Sequence, residues 1–257
     1  MKKTIFLILG LVVMLPVCAQ KQDKELFNHV SLGVSLGTDG IGIEAATPIG
    51  HYVQTRVGVG IMPKFSYSDD VHIYTSNTLG DGMELENTVK AKGVLHNTTF
   101  KWLFDIYPSK HSAFHFTTGF FLANENVVKG KNTTTDPLLK HGGAILIGGQ
   151  PFGANQAGIA NVRVRANSFR PYVGIGFGRA VPKKHRFAIT CDLGMQLWGK
   201  PKVYAYNDDI LHGGMKEVRY QDIDKNSSAA DCRDAIRIAN RIFAWPVINI
   251  RLNGKIF

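Results

Sequence analysis

The stretch WPVINIRLNGKIF, residues 245–257, decides the fold. Ile248, Ile250, Leu252 and Ile256 share one parity, and Asn249, Arg251, Asn253 and Lys255 share the other. Such period-two alternation is the mark of a two-faced β-strand. A soluble sheet wets the polar face and buries the apolar one. A barrel in a bilayer does the reverse, with lipid outside and polar groups within. Phe257 closes the strand with an aromatic, on the polar parity rather than the apolar one.

Seven further stretches repeat the pattern. Val30 to Leu36 and Ile41 to Thr47 flank the turn GTDG, and Val53 to Ile61 follows the turn PIGH. Thr98 to Ile106 and Phe114 to Leu122 flank YPSKHS; Phe169 to Phe177 and Phe187 to Leu197 flank VPKKH. Tight turns therefore alternate with long polar stretches, about 62–93, 124–168 and 199–244. Bacterial membrane barrels show this rhythm, with short periplasmic turns, longer outer loops and an even strand count. The expected fold is all-β: a transmembrane antiparallel up-and-down barrel of eight strands. It becomes ten if AILIGG and ANVRVRA, within residues 140–168, add a hairpin to the wall; the alternative is that these segments extend the neighbouring strands. The long stretches themselves, rich in Gly, Asn and Thr, read as irregular loops.

The polar parity carries charges in mid-strand: Glu44, Arg56, Lys101, Asp105, Asp192 and Arg251. A soluble core would hold six inward charges only if all were tightly paired. Inside a barrel, three acids and three bases pair across the lumen, and an eight-stranded barrel is filled by side chains rather than water. The first reading is a structural network, and the alternative is a narrow porin-like channel for ions or small solutes. Tyr52, Tyr107, Phe169, Tyr172 and Trp198, near strand ends, read as interfacial girdles.

The N-terminus reads as an export signal. Lys2 and Lys3 precede an apolar run from Ile5 to Val17, and Val17-Cys18-Ala19 is a small-residue cleavage site. The expected division is a signal peptide over 1–19 and a barrel over 20–257. A lipobox around Cys18 is the competing reading, poorly served by Pro16 and Val17. The formal net charge of +10 falls to +8 when Lys2 and Lys3 leave. A basic exported protein meets anionic lipid or polysaccharide, not nucleic acid. Cys191 and Cys232 read as free thiols, since a bridge needs close Cβ atoms.

Several blocks, in order, resemble the small outer-membrane β-barrel proteins of Gram-negative bacteria, and especially a Bacteroidetes-like family of no established activity. They are GTDGIGIEAATPI, FRPYVGIGFG, DLGMQLWGKPKV and the final WPVINIRLNGKIF. The resemblance implies a location in the cell outer membrane and an eight-stranded barrel. It also implies lipid and lipopolysaccharide as neighbours, and assembly through the C-terminal strand by the barrel-assembly machinery. It implies no catalytic residue, cofactor or metal.

Two loop features remain. SSAADCRDAIRIANRIF, residues 227–243, reads as a short helix in the last outer loop. Ser228 and Asp231 stand at capping-box spacing, and Arg233, Arg237 and Arg241 form a stripe suited to an anionic lipid or host surface polymer. Asp69, Asp70 and His72, with Asp208, Asp209 and His212, are the weak case for an enzyme or metal site at the rim. The function expected from sequence is structural or surface interaction, without catalysis.

Overall fold

The alternating stretches close into one wall. A computed structural model describes residues 27–74, 88–140, 143–147, 150–183, 185–207, 214–223 and 230–256. Residues 1–19, read from sequence as a signal peptide, with Cys18 among them, lie outside the described residues, as do Ser228, Phe257 and the Asp208–Asp209–His212 cluster. Eight strands form an antiparallel barrel: β1 (Ser31–Gly37), β2 (Gly40–Pro48), β3 (Val53–Ile61), β6 (Thr98–Ile106), β7 (Phe114–Ala123), β12 (Phe169–Phe177), β13 (Phe187–Leu197) and β16 (Ala244–Lys255). β1 closes the ring on β16, with Ser31 opposite Lys255 and Gly37 opposite Asn249. These are the eight alternating stretches, and the strand number is eight.

Burial follows parity. Val34, Ile43, Ile61, Phe116, Ile175, Phe177, Ile189 and Ile250 point outward and stay exposed, each by more than 40%. A soluble monomer does not display so continuous an apolar surface, whereas a bilayer solvates it. No helix among the described residues is long and apolar enough to cross a membrane.

The long stretches are not the irregular loops expected of them. Residues 62–95, 124–168 and 199–218 supply β4 (Phe65–Tyr74), β5 (Thr88–Leu95), β8 (Asn126–Asn132), β9 (Ala144–Ile147), β10 (Gln150–Gly153), β11 (Asn161–Arg165), β14 (Lys202–Asn207) and β15 (Gly214–Val218). These strands form a second sheet in the order β10-β9-β4-β5-β8-β11-β14-β15. The order has a simple cause. β3 runs on into β4, β5 into β6, β7 into β8, β11 into β12 and β13 into β14, across breaks at 62–64, 96–97, 124–125, 166–168 and 198–201. Neighbours in the barrel therefore remain neighbours above it, and we call this upper sheet the collar. The AILIGG and ANVRVRA segments lie in the collar, not in the barrel wall. The β1–β2 hairpin, turning at Thr38–Asp39, stops at the rim.

The collar has an ordinary apolar core. Ile73, Val89, Leu139, Ile145, Phe152 and Val203 pack together with Cys232 and Ile236 of the helix Ala230–Ala239. The helix is amphipathic, with Asp231 in its first turn and Arg237 in its last, which suits its dipole. Burial raises the Cys232 thiol pKa above its usual value. Cys191 is exposed on the outer wall, and both cysteines are free.

Candidate functional site

Each of the six mid-strand charges is buried, none more than 5% exposed. Arg56 of β3 is the hub. Its Nη2 donates to Asp105 of β6 at 2.7 Å, and its Nη1 to Asp192 of β13 at 3.0 Å and Glu44 of β2 at 3.3 Å. Glu44 also accepts from Arg251 of β16 at 2.6 Å and lies 2.7 Å from the Lys101 ammonium of β6. Charges read from parity alone thus meet at one level of the lumen, tying five strands together.

Two members of the cluster escape a reading by mid-strand charge. Asp39, in the GTDG turn, reaches inward to within 3.2 Å of Lys101 Nζ and accepts from Asn249. In sequence it looks like turn chemistry, because Asp and Gly are common turn formers. His115 of β7 places Nε2 3.0 Å from Asp192 and 3.8 Å from Asp105. Its parity, shared with Thr117, is the available signal. Four carboxylates therefore face three permanent cations and one imidazole.

Glycines make the space. A Cβ at Gly176 would collide with Asp192 Oδ1 and His115 Nε2, and one at Gly58 would lie 2.6 Å from Glu44 Cγ. At Gly174 it would press on the Tyr172 hydroxyl at 2.7 Å. The inward glycines accommodate bulky polar groups; they do not line an empty bore.

Layers above and below complete the filling. At the short-turn end, the segment after β12 folds into the mouth. Ala180 and Val181 are buried there, Ser31 donates to the Ala180 carbonyl, and the Val181 amide donates to Gln54. Tyr107 is 2% exposed and bonds Gln54 at 3.1 Å. At the collar end, Leu103, Phe121, Tyr172 and Val247 form an apolar layer. Trp198 stacks on Trp245 at 5.0 Å, and Arg170 lies over Trp198 at 4.7 Å. Arg170 donates to the carbonyls of Asn167 and Asn124, so it braces the rim and stays outside the charge cluster. The girdle reading of Tyr107, Tyr172 and Trp198 is thereby corrected: all three are buried. Tyr52 and Phe169 remain exposed.

Of the arginine stripe, only Arg233 is largely covered. Arg233 stacks over Tyr220 at 5.8 Å with a side chain only 11% exposed, and Arg237 pairs with Asp234 at 3.1 Å. Arg241 lies beyond the helix and is exposed. Asp69, Asp70 and His72 sit exposed on β4, and among the described residues no three His, Cys, Asp or Glu side chains group to hold a metal ion.

This architecture defines the class: a transmembrane antiparallel β-barrel whose interior is filled by side chains. The crystal structure of Acinetobacter baumannii CarO2 is similar, with a TM-score of 0.50 at 18% identity, over 88% of this chain and 98% of that one. Acinetobacter baumannii CarO gives 0.49 at 18%, over 91% and 99%. A major outer membrane protein from Thermus thermophilus gives 0.31 at 13%, over 88% and 99%. At 18% identity the likeness to CarO2 is one of fold. No protein-family model matches the sequence, and no curated protein matches it.

Proposed function

We propose that the protein is a non-conducting, non-catalytic barrel that presents a folded collar at the bacterial surface. The observation that carries the reading is the filled lumen, from the Ala180–Val181 segment through the Arg56 cluster to the Trp198–Trp245 stack. A path for ions would have to break buried pairs whose partners would be left uncompensated. Export by the 1–19 segment and insertion through the C-terminal strand bring the chain to the outer membrane. The tight turns then face the periplasm and the collar faces outward, the usual sidedness of such barrels. The exposed Asp69, Asp70 and His72, spread along one strand, support no hydrolytic role. The collar works as an interaction surface for envelope or host polymers.

The test is a planar-bilayer recording of the refolded protein, after heat-modifiable gel migration shows that it has folded. Folded protein without conductance steps is the expected outcome. Discrete, reproducible steps would establish the narrow channel instead.

A further inference from the structure

The two faces of the collar differ in kind. One packs against the apolar core. The other carries Lys92 opposite Lys131 across the β5–β8 pair, and Lys129 opposite Arg163 across the β8–β11 pair. Like charges directly opposite one another on adjacent strands repel and destabilise a sheet. No ion pair relieves these four among the described residues. The acids on this face stand at its flanks: Asp70 opposite Lys90, and Glu217, which is taken up by Lys202 at 3.0 Å. The same four cations, with Lys64, line a groove of about 650 Å³ to which no described carboxylate contributes. Asn97, Asn124, Asn126 and Asn161 also line it, together with His96.

The groove lies on the outer side of the molecule. Its lower end is formed by Thr98 and Asn124. Thr98 opens the outward parity of β6, and the next outward residue, Phe100, pairs with exposed Leu122 of β7. Lys129 is opposite Val94, four positions beyond Thr98. At ~3.3 Å per residue that is on the order of 13 Å above the start of the lipid-facing wall. A second depression gathers Arg165, Lys200 and Lys202, with Glu125 among them, beside exposed Phe169 at the top of β12. An amphiphile whose chains lie along Phe100, Leu122 and Phe169 must carry its headgroup past these cations.

We infer that this basic face binds the phosphate groups of a glycolipid in the same leaflet, chains against the barrel and headgroup in the groove. The inference rests on the proposed outward orientation of the collar. Phosphate suits the cluster because charge-assisted hydrogen bonds from lysine and arginine to its oxygens are among the strongest available. They also cancel the cross-strand repulsion. A soluble polyanion would offer similar charge, but nothing would hold it against the lipid-facing wall.

The test uses the refolded protein in neutral-lipid nanodiscs. Binding of purified lipopolysaccharide is compared with that of the same material dephosphorylated, and with heparin as a soluble polyanion. The quadruple variant Lys92→Gln, Lys129→Gln, Lys131→Gln, Arg163→Gln removes the cluster. Arg237→Gln with Arg241→Gln is the control on the helix. Wild type and control should bind phosphorylated lipopolysaccharide alike; the quadruple variant and the dephosphorylated ligand should each weaken binding roughly tenfold or more. Unchanged affinity in the quadruple variant, indifference to phosphate, or tighter binding of heparin would each overturn the inference. Heat-modifiable migration shows whether the variant folds, and should it not, Lys129→Gln alone must still weaken binding. Labelling with an amine reagent that cannot cross the outer membrane separates the two readings. Groove lysines that react only in permeabilised cells refute the orientation, whatever the affinity measured in nanodiscs.

Discussion

The same strands cross two environments, and their polarity reverses between them. In the barrel the apolar residues point outward and the charges inward: Ile175 and Ile250 are exposed while Arg56 and Arg251 are buried. In the collar, Lys129 and Lys131 point outward while Ile145, Val89 and Val203 are buried against a helix. One chain thus obeys the lipid rule below the rim and the water rule above it. The breaks at 96–97, 124–125 and 198–201 mark where the rule changes. What belongs inside a sheet depends on the solvent outside it.

Breaking that contrast from within should cost most. Arg56→Met leaves Glu44, Asp105 and Asp192 buried without their shared cation, which should destabilise the barrel by about 3–5 kcal/mol. Urea unfolding in micelles reads this directly, and an unchanged midpoint would deny the hub. In the collar the comparable loss is apolar. Ile145→Ala should cost about 2–5 kcal/mol, confined to collar amides in hydrogen exchange while barrel amides keep their protection. Loss of protection in both would mean that the storeys unfold as one. The sharpest contrast inserts one residue type in two places. Ile175→Arg on the lipid face should cost about 2–4 kcal/mol at mid-membrane, whereas Ser66→Arg on the exposed collar should stay within about 0.5 kcal/mol. Equal effects would mean that the membrane boundary is misplaced.

The barrel is legible in the sequence because the bilayer imposes a strict pattern on each crossing strand. Eight alternating stretches and the tight turns between them are the consequence. The lumen charges are legible for the same reason, since parity alone turns Glu44, Arg56, Lys101, Asp105, Asp192 and Arg251 inward. The collar is not. Its strands mix lysine, asparagine and glycine, and β5, TVKAKGVL, and β8, NVVKGKN, carry too little apolar alternation to stand out. Their pairing comes from the barrel beneath, and that information is absent from any local window. Asp39 is hidden by turn composition. The surroundings of the helix arginines are not legible either, because helical spacing says which residues share a face, not what lies against it: Tyr220 lies under Arg233.

The hairpin that stops at the rim has a consequence for assembly. β1 and β2 send no strand into the collar, and β1 is also the strand that meets β16 to complete the ring. The last joint in the wall, between strands drawn from opposite ends of the described chain, thus forms beneath the side of the rim where β1 and β2 add no upper strand. Joining such distant segments is the slow step of a sheet topology. The collar can therefore acquire its own registers while the joint is still apart, and the joint can then zip shut without any upper strand of β1 or β2 having to find a partner.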